Sequence, residues 1–226
     1  SDMKRILVVA PHADDEILGC GATIAKVVAE GGSAFVAIMT NAHVGDPEMF
    51  QEARIKNVRE EALRAHKMLN VSETFFFDFP APRLDTYPAY KISFALSKLI
   101  ADIKPDTLFI PSLGDLHVDH LCLYRACLVA GRPINDTSIK NILTYETLSE
   151  TNWAPLQGNQ TFIPNVFIDT SAYFEKKLEA AKCFSSQMRD FPYCRSLTAL
   201  EALGKIRGSN IGVHYAEAFS LERAIL

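Results

Sequence analysis

The chain has 226 residues, 48% of them apolar, and a formal net charge of −4. That apolar fraction is ample for a large buried core and excludes a disordered chain. The acidic balance gives no broad positive field of the kind nucleic acid requires.

Five scattered cysteines (Cys20, Cys122, Cys127, Cys183 and Cys194) form no C-x-x-C pair. They argue against a disulfide framework or a cysteine zinc knuckle and read as reduced, mostly buried apolar residues. No apolar run is long enough to span a bilayer, and the N-terminus lacks the pattern of a signal peptide. The expectation is a cytoplasmic protein without membrane insertion, one domain over residues 3–226, with Ser1-Asp2 ahead of Met3 a remnant of cloning.

Ile6 to Ala10 is a continuous apolar run, the pattern of a parallel strand buried on both faces. Gly19 to Glu30 predicts a helix closed by Gly31-Gly32. Ala34 to Thr40 predicts a strand, and Phe50 to Leu69 a long amphipathic helix with a charged face. Phe75 to Phe77 predicts a third strand, Tyr90 to Ile103 a helix stopped by Pro105, and Thr107 to Ile110 a fourth strand. Asp119 to Ala130 predicts a helix and Ile142 to Tyr145 a fifth strand. A polar loop from Ser149 to Phe162 precedes a strand at Asn165 to Ile168. Helices are predicted over Ala172 to Met188 and Leu197 to Ile206, with a last strand at Tyr215 to Phe219.

This alternation predicts a single-domain α/β fold, a Rossmann-like, mostly parallel sheet with helices on both faces. In such sheets ligands bind outside the carboxyl ends of the strands. The rule selects the loops after Ala10, Thr40 and Ile110.

Two of those loops are chemically unusual. Pro11-His12-Ala13-Asp14-Asp15-Glu16 puts three successive carboxylates beside a histidine. Like charges so close raise one another's pKa, and a divalent cation relieves the repulsion. Acidic residues also decorate helix N-termini, but a helix start has no use for an imidazole at the strand end. Asp115-Leu116-His117-Val118-Asp119-His120 follows the fourth strand and repeats the histidine–carboxylate combination. A catalytic zinc takes about three protein ligands and an open position; the two clusters supply that set together better than either does alone. His43 and His66 lack such neighbours and read as surface or helix residues.

The residues resemble a known family. Pro11 to Glu16 is similar to the P-H-P-D-D-E signature of the LmbE-like, or PIG-L, N-acetylglucosaminyl deacetylases, and His117-x-Asp119-His120 to their second motif. The resemblance spans nearly the whole chain: Arg59 to Val71, Lys104-Pro105-Asp106, Lys177 to Gln187 and Tyr215-Ala216-Glu217-Ala218-Phe219 each match a family segment. Ala13 replaces a proline, and Asn70 replaces a glycine while tolerating the same left-handed cap.

The resemblance implies zinc ligands at His12, Asp15 and His120, with iron (Fe2+) as the alternative metal. It implies a general base at Asp14, an oxyanion-stabilising, protonated His117 oriented by Asp119, and a substrate contact at Arg59. The implied reaction is hydrolysis of the acetamide of an N-acetylated sugar. Family substrates include N-acetylglucosamine conjugates, chitin disaccharides and glycopeptide antibiotics, and the residues do not choose among them. Arg83, Asp85, Tyr87, His43 and Trp153 lie in loops within reach of a sugar pocket, although each reads more readily as an ordinary surface residue. The sequence leaves homo-oligomer formation open.

Two rival readings are weaker. Gly19-Cys20-Gly21 faintly resembles a dinucleotide fingerprint, but it lacks the third glycine and follows an acidic turn that repels pyrophosphate. A catalytically inactive, metal-containing sugar-binding protein would not need both Asp14 and His117.

Overall fold

The computed structural model describes residues 3–134 and 137–226; the reading of Ser1-Asp2 lies outside them. In chain order the elements are β1 (Arg5–Ala10), α1 (Asp15–Ala29), β2 (Ser33–Asn41), α2 (Ala42–Gly45), α3 (Glu52–Met68) and β3 (Glu73–Pro80). A short 3-10 turn (Leu84–Thr86) leads to α4 (Ala89–Ile103), β4 (Thr107–Pro111), α5 (Val118–Ala130) and β5 (Asn141–Tyr145). Then come β6 (Val166–Asp169), α6 (Phe174–Lys182), α7 (Leu197–Ser209) and β7 (Ala216–Ala224).

All seven strands join one sheet in the order β3-β2-β1-β4-β5-β7-β6. Strands β1 to β5 pair in parallel, and β7 runs antiparallel between β5 and β6. Side chains alternate across β1 with the period of two that a strand imposes. Ile6, Val8 and Ala10 enter a core shared with α1, α3, α6 and α7, while Leu7 and Val9 enter a second core shared with α4 and α5. The sheet is therefore covered on both faces, as its apolar strands require. The strand order reverses between β1 and β4, so the crevice of a doubly wound sheet opens above these two carboxyl ends.

Three departures from the predicted elements have local causes. Helix α1 starts at Asp15 rather than Gly19, because Asp15 and Glu16 occupy its first turn, where the helix dipole favours them. Helix α6 ends at Lys182 rather than Met188: Glu61 of α3 accepts from the Ser185 hydroxyl and from the Ser186 backbone N–H, drawing the chain out of the helix. Strand β7 runs on to Ala224, through a half that is largely exposed and carries no apolar alternation. Asn70 takes the left-handed cap after α3, with φ of 54°. All five cysteines are free. Among the described residues no helix is long and apolar enough to cross a membrane.

Candidate metal centre and active site

Strand β1 delivers the chain into a tight turn. His12 donates its backbone N–H to Asp15 Oδ2 at 3.0 Å, and the Thr40 hydroxyl holds the Pro11 carbonyl at 2.7 Å. Asp14 sits at φ 104°, a conformation that costs a residue with a side chain about 1–3 kcal/mol. Strand β4 delivers the second cluster. His117 caps α5, its Nδ1 accepting the Asp119 backbone N–H at 3.0 Å, so Asp119 and His120 fall in the first turn of that helix.

The two loops converge. His12 Nδ1 lies 3.5 Å and His120 Nε2 3.2 Å from the same oxygen, Asp15 Oδ2. Each imidazole is braced at its other nitrogen: His12 Nε2 on Asp119 Oδ2 at 2.9 Å, and His120 Nδ1 on Asp115 Oδ2 at 2.7 Å. Asp115 is in turn held by the Thr151 hydroxyl at 2.6 Å. Ligating histidines are characteristically fixed by carboxylates in this way.

Potential ligand atoms of His12, Asp15 and His120 lie within 4.8 Å of one another. Asp15 Oδ1 and His120 Nε2 are buried and have no hydrogen-bond partner. Buried polar atoms are rarely left so, and a cation bound by His12, Asp15 and His120 would satisfy both. The residues thus fit zinc or a similar first-row divalent ion. An overlapping set, His12, His117 and Asp119, fits less well. There His117 Nδ1 already serves the helix cap, and the Asp119 oxygens accept from His12 and from the Leu84 backbone N–H.

Electrostatics follow the packing. Burial alone would lower the pKa of both inner histidines, but Asp119 and Asp15 outweigh it and raise His12 to about 9. Asp15 and Asp115 likewise raise His120 to about 10. Burial pushes Asp15 up, yet His120 and His12 overcome it and hold that carboxyl well below the usual range. Asp14 is raised by burial, against the opposing charge of Arg195.

His117 and Asp119 differ from expectation. Burial and the nearby charge of His12 push His117 down to about 4, and Asp119 opposes them only weakly, its Oδ2 being 3.8 Å away. With Nδ1 accepting from a backbone N–H, the neutral ring carries its proton on Nε2. In this geometry the neutral His117 ring leaves Nε2–H free to donate, and the Asp119 carboxylate meets His12 Nε2 at 2.9 Å rather than pairing closely with His117.

Three residues escaped the sequence reading. Arg195 places Nη1 3.0 Å from Asp14 Oδ2 and Nη2 3.7 Å from Glu150 Oε1. Glu150 also accepts the His117 backbone N–H at 3.0 Å. His66 is buried rather than a surface residue, its Nε2 2.8 Å from Glu16 Oε1. No local motif flags Arg195 or Glu150; the spacing of His66 to the apolar side of α3 is the one signal that was readable.

A cleft of about 600 Å3 opens onto this cluster, with His12, His117 and Arg195 in its walls and helix α3 along one side. Arg59 lines it, although its guanidinium already bonds Asp78 at 2.9 Å and the Phe77 carbonyl at 2.7 Å. Arg54 lines it too and makes no ion pair among the described residues. His43, Arg83, Asp85, Tyr87 and Trp153 are not part of its lining.

The profile of the PIG-L family, described as GlcNAc-PI de-N-acetylase, matches residues 7–130, a span that contains both clusters. The chain belongs to the PIG-L family. An uncharacterized deacetylase of Escherichia coli, YaiS, is 32% identical over 185 residues, 79% of this chain and 89% of its own length. The diacetylchitobiose deacetylase of Thermococcus kodakarensis is 23% identical over 96% of this chain and 82% of its own. The conserved protein TT1542 of Thermus thermophilus superposes with a TM-score of 0.77 at 26% identity, covering 99% of this chain and 97% of that one. A hydratase, GalB of Pseudomonas putida, shares the fold at TM-score 0.77 and 20% identity over 99% of this chain and 98% of its own. Fold alone therefore does not fix the reaction. Family membership and the named relatives make this PIG-L chain a hydrolase of the deacetylase kind.

Proposed function

We propose that the protein removes the acetyl group from an N-acetylated sugar of the N-acetylglucosamine type, using a zinc ion (or Fe2+) held by His12, Asp15 and His120. One observation carries the reading: two imidazoles, each braced from behind by its own carboxylate, converge on the buried Asp15, and one of them, His12, lines an open cleft. The deacetylases among the sequence relatives, one acting on diacetylchitobiose and one on 2'-N-acetylparomamine, support the substrate class.

Bound there, zinc lowers the pKa of water and polarises an amide carbonyl. Asp14 takes a proton from the attacking water at Oδ1, the oxygen that has no hydrogen-bond partner, and returns it to the leaving amine. His117 donates a hydrogen bond from Nε2–H to the carbonyl oxygen as that atom gains charge, and keeps its proton. Asp119 and Asp115 keep the two ligating rings in place, and Arg59 contributes to the wall against which the sugar rests. The products are acetate and a free amino sugar.

The test is acetate release across a panel of N-acetylated sugars, with metal content measured on protein purified without chelators. Release from at least one sugar, lost on chelation and restored by metal, is expected. Metal-replete protein that releases no acetate from any of them would overturn the reading.

A further inference from the structure

Asp14 is held in a left-handed conformation that an aspartate does not choose by itself, and Glu16 is the residue placed to hold it. The Glu16 carboxylate is fully buried. Its Oε2 accepts the Asp14 backbone N–H at 3.0 Å, and its Oε1 meets His66 Nε2 at 2.8 Å. His66 is also buried, and its Nδ1 lies 2.7 Å from the Thr74 hydroxyl on β3. In either protonation state of His66, Nε2–H donates to Glu16. A brace thus runs from β3 through the imidazole of α3 to the backbone of the turn after β1.

A buried carboxylate in a first helical turn is not needed for the helix dipole, which a solvated acid serves equally well. Burying it demands full pairing, and both partners here are specific: one is the N–H of the strained residue and the other a buried imidazole. The consequence falls on the Asp14 side chain. With φ at 104°, its Oδ2 meets Arg195 while Oδ1 stays unpaired.

We propose that Glu16, braced by His66 and Thr74, is a positioning residue that fixes the backbone of Asp14 so that one carboxylate oxygen stays available to the reacting water. The inference rests on Asp14 being the base, but its structural half stands without that.

The experiment compares Glu16→Ala and Glu16→Gln with the parent protein by kinetics, metal content and crystallography. A glutamine amide keeps an acceptor for the Asp14 N–H, and its NH2 donates to His66 Nε2 once the ring takes the Nδ1–H tautomer and donates to the Thr74 hydroxyl instead, so Glu16→Gln should retain most of kcat. Glu16→Ala should lose at least about tenfold in kcat with KM and metal content little changed, as expected when a reacting group is misplaced. In its crystal structure Asp14 should relax to a negative φ. If Glu16→Ala does not fold, His66→Gln and His66→Asn carry the test. Glutamine reproduces the position of Nε2, so His66→Gln should keep kcat and His66→Asn should lose it.

Unchanged kcat together with φ still positive in Glu16→Ala would overturn the proposal. So would equal losses in both His66 variants, or kcat losses that merely follow metal loss. Should the parent protein release no acetate from any sugar, the deacetylase reading fails, while the φ of Asp14 in the variant still decides whether Glu16 holds that turn.

Discussion

Arg195 and Asp14 are 181 positions apart in the chain, yet the Arg195 Nη1 lies 3.0 Å from Asp14 Oδ2. The carboxylate next to the metal cluster is therefore held by a cation from the far end of the sequence. Burial favours the protonated form of Asp14, and Arg195 is the main charge opposing it. Replacing Arg195 with alanine should lower kcat by about 10- to 100-fold through misplacement of the base. A carboxyl that acts as a base must be ionised, and loss of the cation raises the Asp14 pKa further. The acid limb of the kcat–pH profile should therefore move to higher pH in Arg195→Ala. A limb that stays in place would show that Arg195 does not govern Asp14.

His117 Nδ1 accepts the Asp119 backbone N–H, so the proton of the neutral ring is expected on Nε2. Nitrogen NMR of the ring should report the Nε2–H tautomer from pH 5.5 to 8 in the metal-free protein. His117→Ala should cost about 100- to 1,000-fold in kcat, the usual loss for one oxyanion donor, and leave metal content unchanged. An imidazolium signal at pH 7 would contradict this assignment.

Asp115 and Asp119 bond the rings of His120 and His12, the proposed metal ligands, from behind. Asp115→Asn and Asp119→Asn should each weaken metal affinity by about 10- to 100-fold, in line with other carboxylates behind ligating histidines. Competition with a chromogenic chelator measures this. Unaltered affinity in both variants would remove the bracing role.

In the metal-free protein, His12 and His120 hold protons well above their ordinary value of 6.5, to about 9 and about 10. Metal needs the neutral rings, so loading near pH 7.5 should release protons and affinity should climb with pH. Calorimetry in buffers of differing ionisation enthalpy counts those protons. The sign for stability is the reverse. A raised histidine pKa stabilises the metal-free fold fully below pH 6.5, and that contribution is lost as pH rises through 9 to 10. Chelator-treated protein should melt lower at pH 9.5 than at pH 6.5 for this reason, and the loss should shrink once metal is bound.

Much of this architecture was legible in the sequence, for identifiable reasons. The β1 and β4 segments are short unbroken apolar runs, and a histidine–carboxylate cluster comes after each, so the doubly wound rule placed both clusters above adjacent strand ends. His12 and Asp15 come soon after the end of β1, His120 lies in the first turn of α5 above β4, and the structure brings the three together. Arg195 was not readable: it lies in an irregular loop between α6 and α7 and reaches the site only through tertiary packing. Chain proximity suggests His117 as the partner of Asp119; its backbone N–H does meet His117, whereas α5 turns its carboxylate toward His12. His66 reads as a surface or helix residue among charged neighbours; it is a helix residue, but a buried one, because Glu16 and Thr74 pair both ring nitrogens. The early end of α6 depends on Glu61, 125 positions from Ser186, which no local pattern encodes.

The most direct measurement is anomalous diffraction at the absorption edge of the metal that elemental analysis finds in the purified protein. A single strong peak is expected, bonded to His12 Nδ1, Asp15 and His120 Nε2, with Asp14 and His117 beside it but not bound. A peak coordinated by His117 and Asp119 instead, or no peak in active protein, would contradict this expectation.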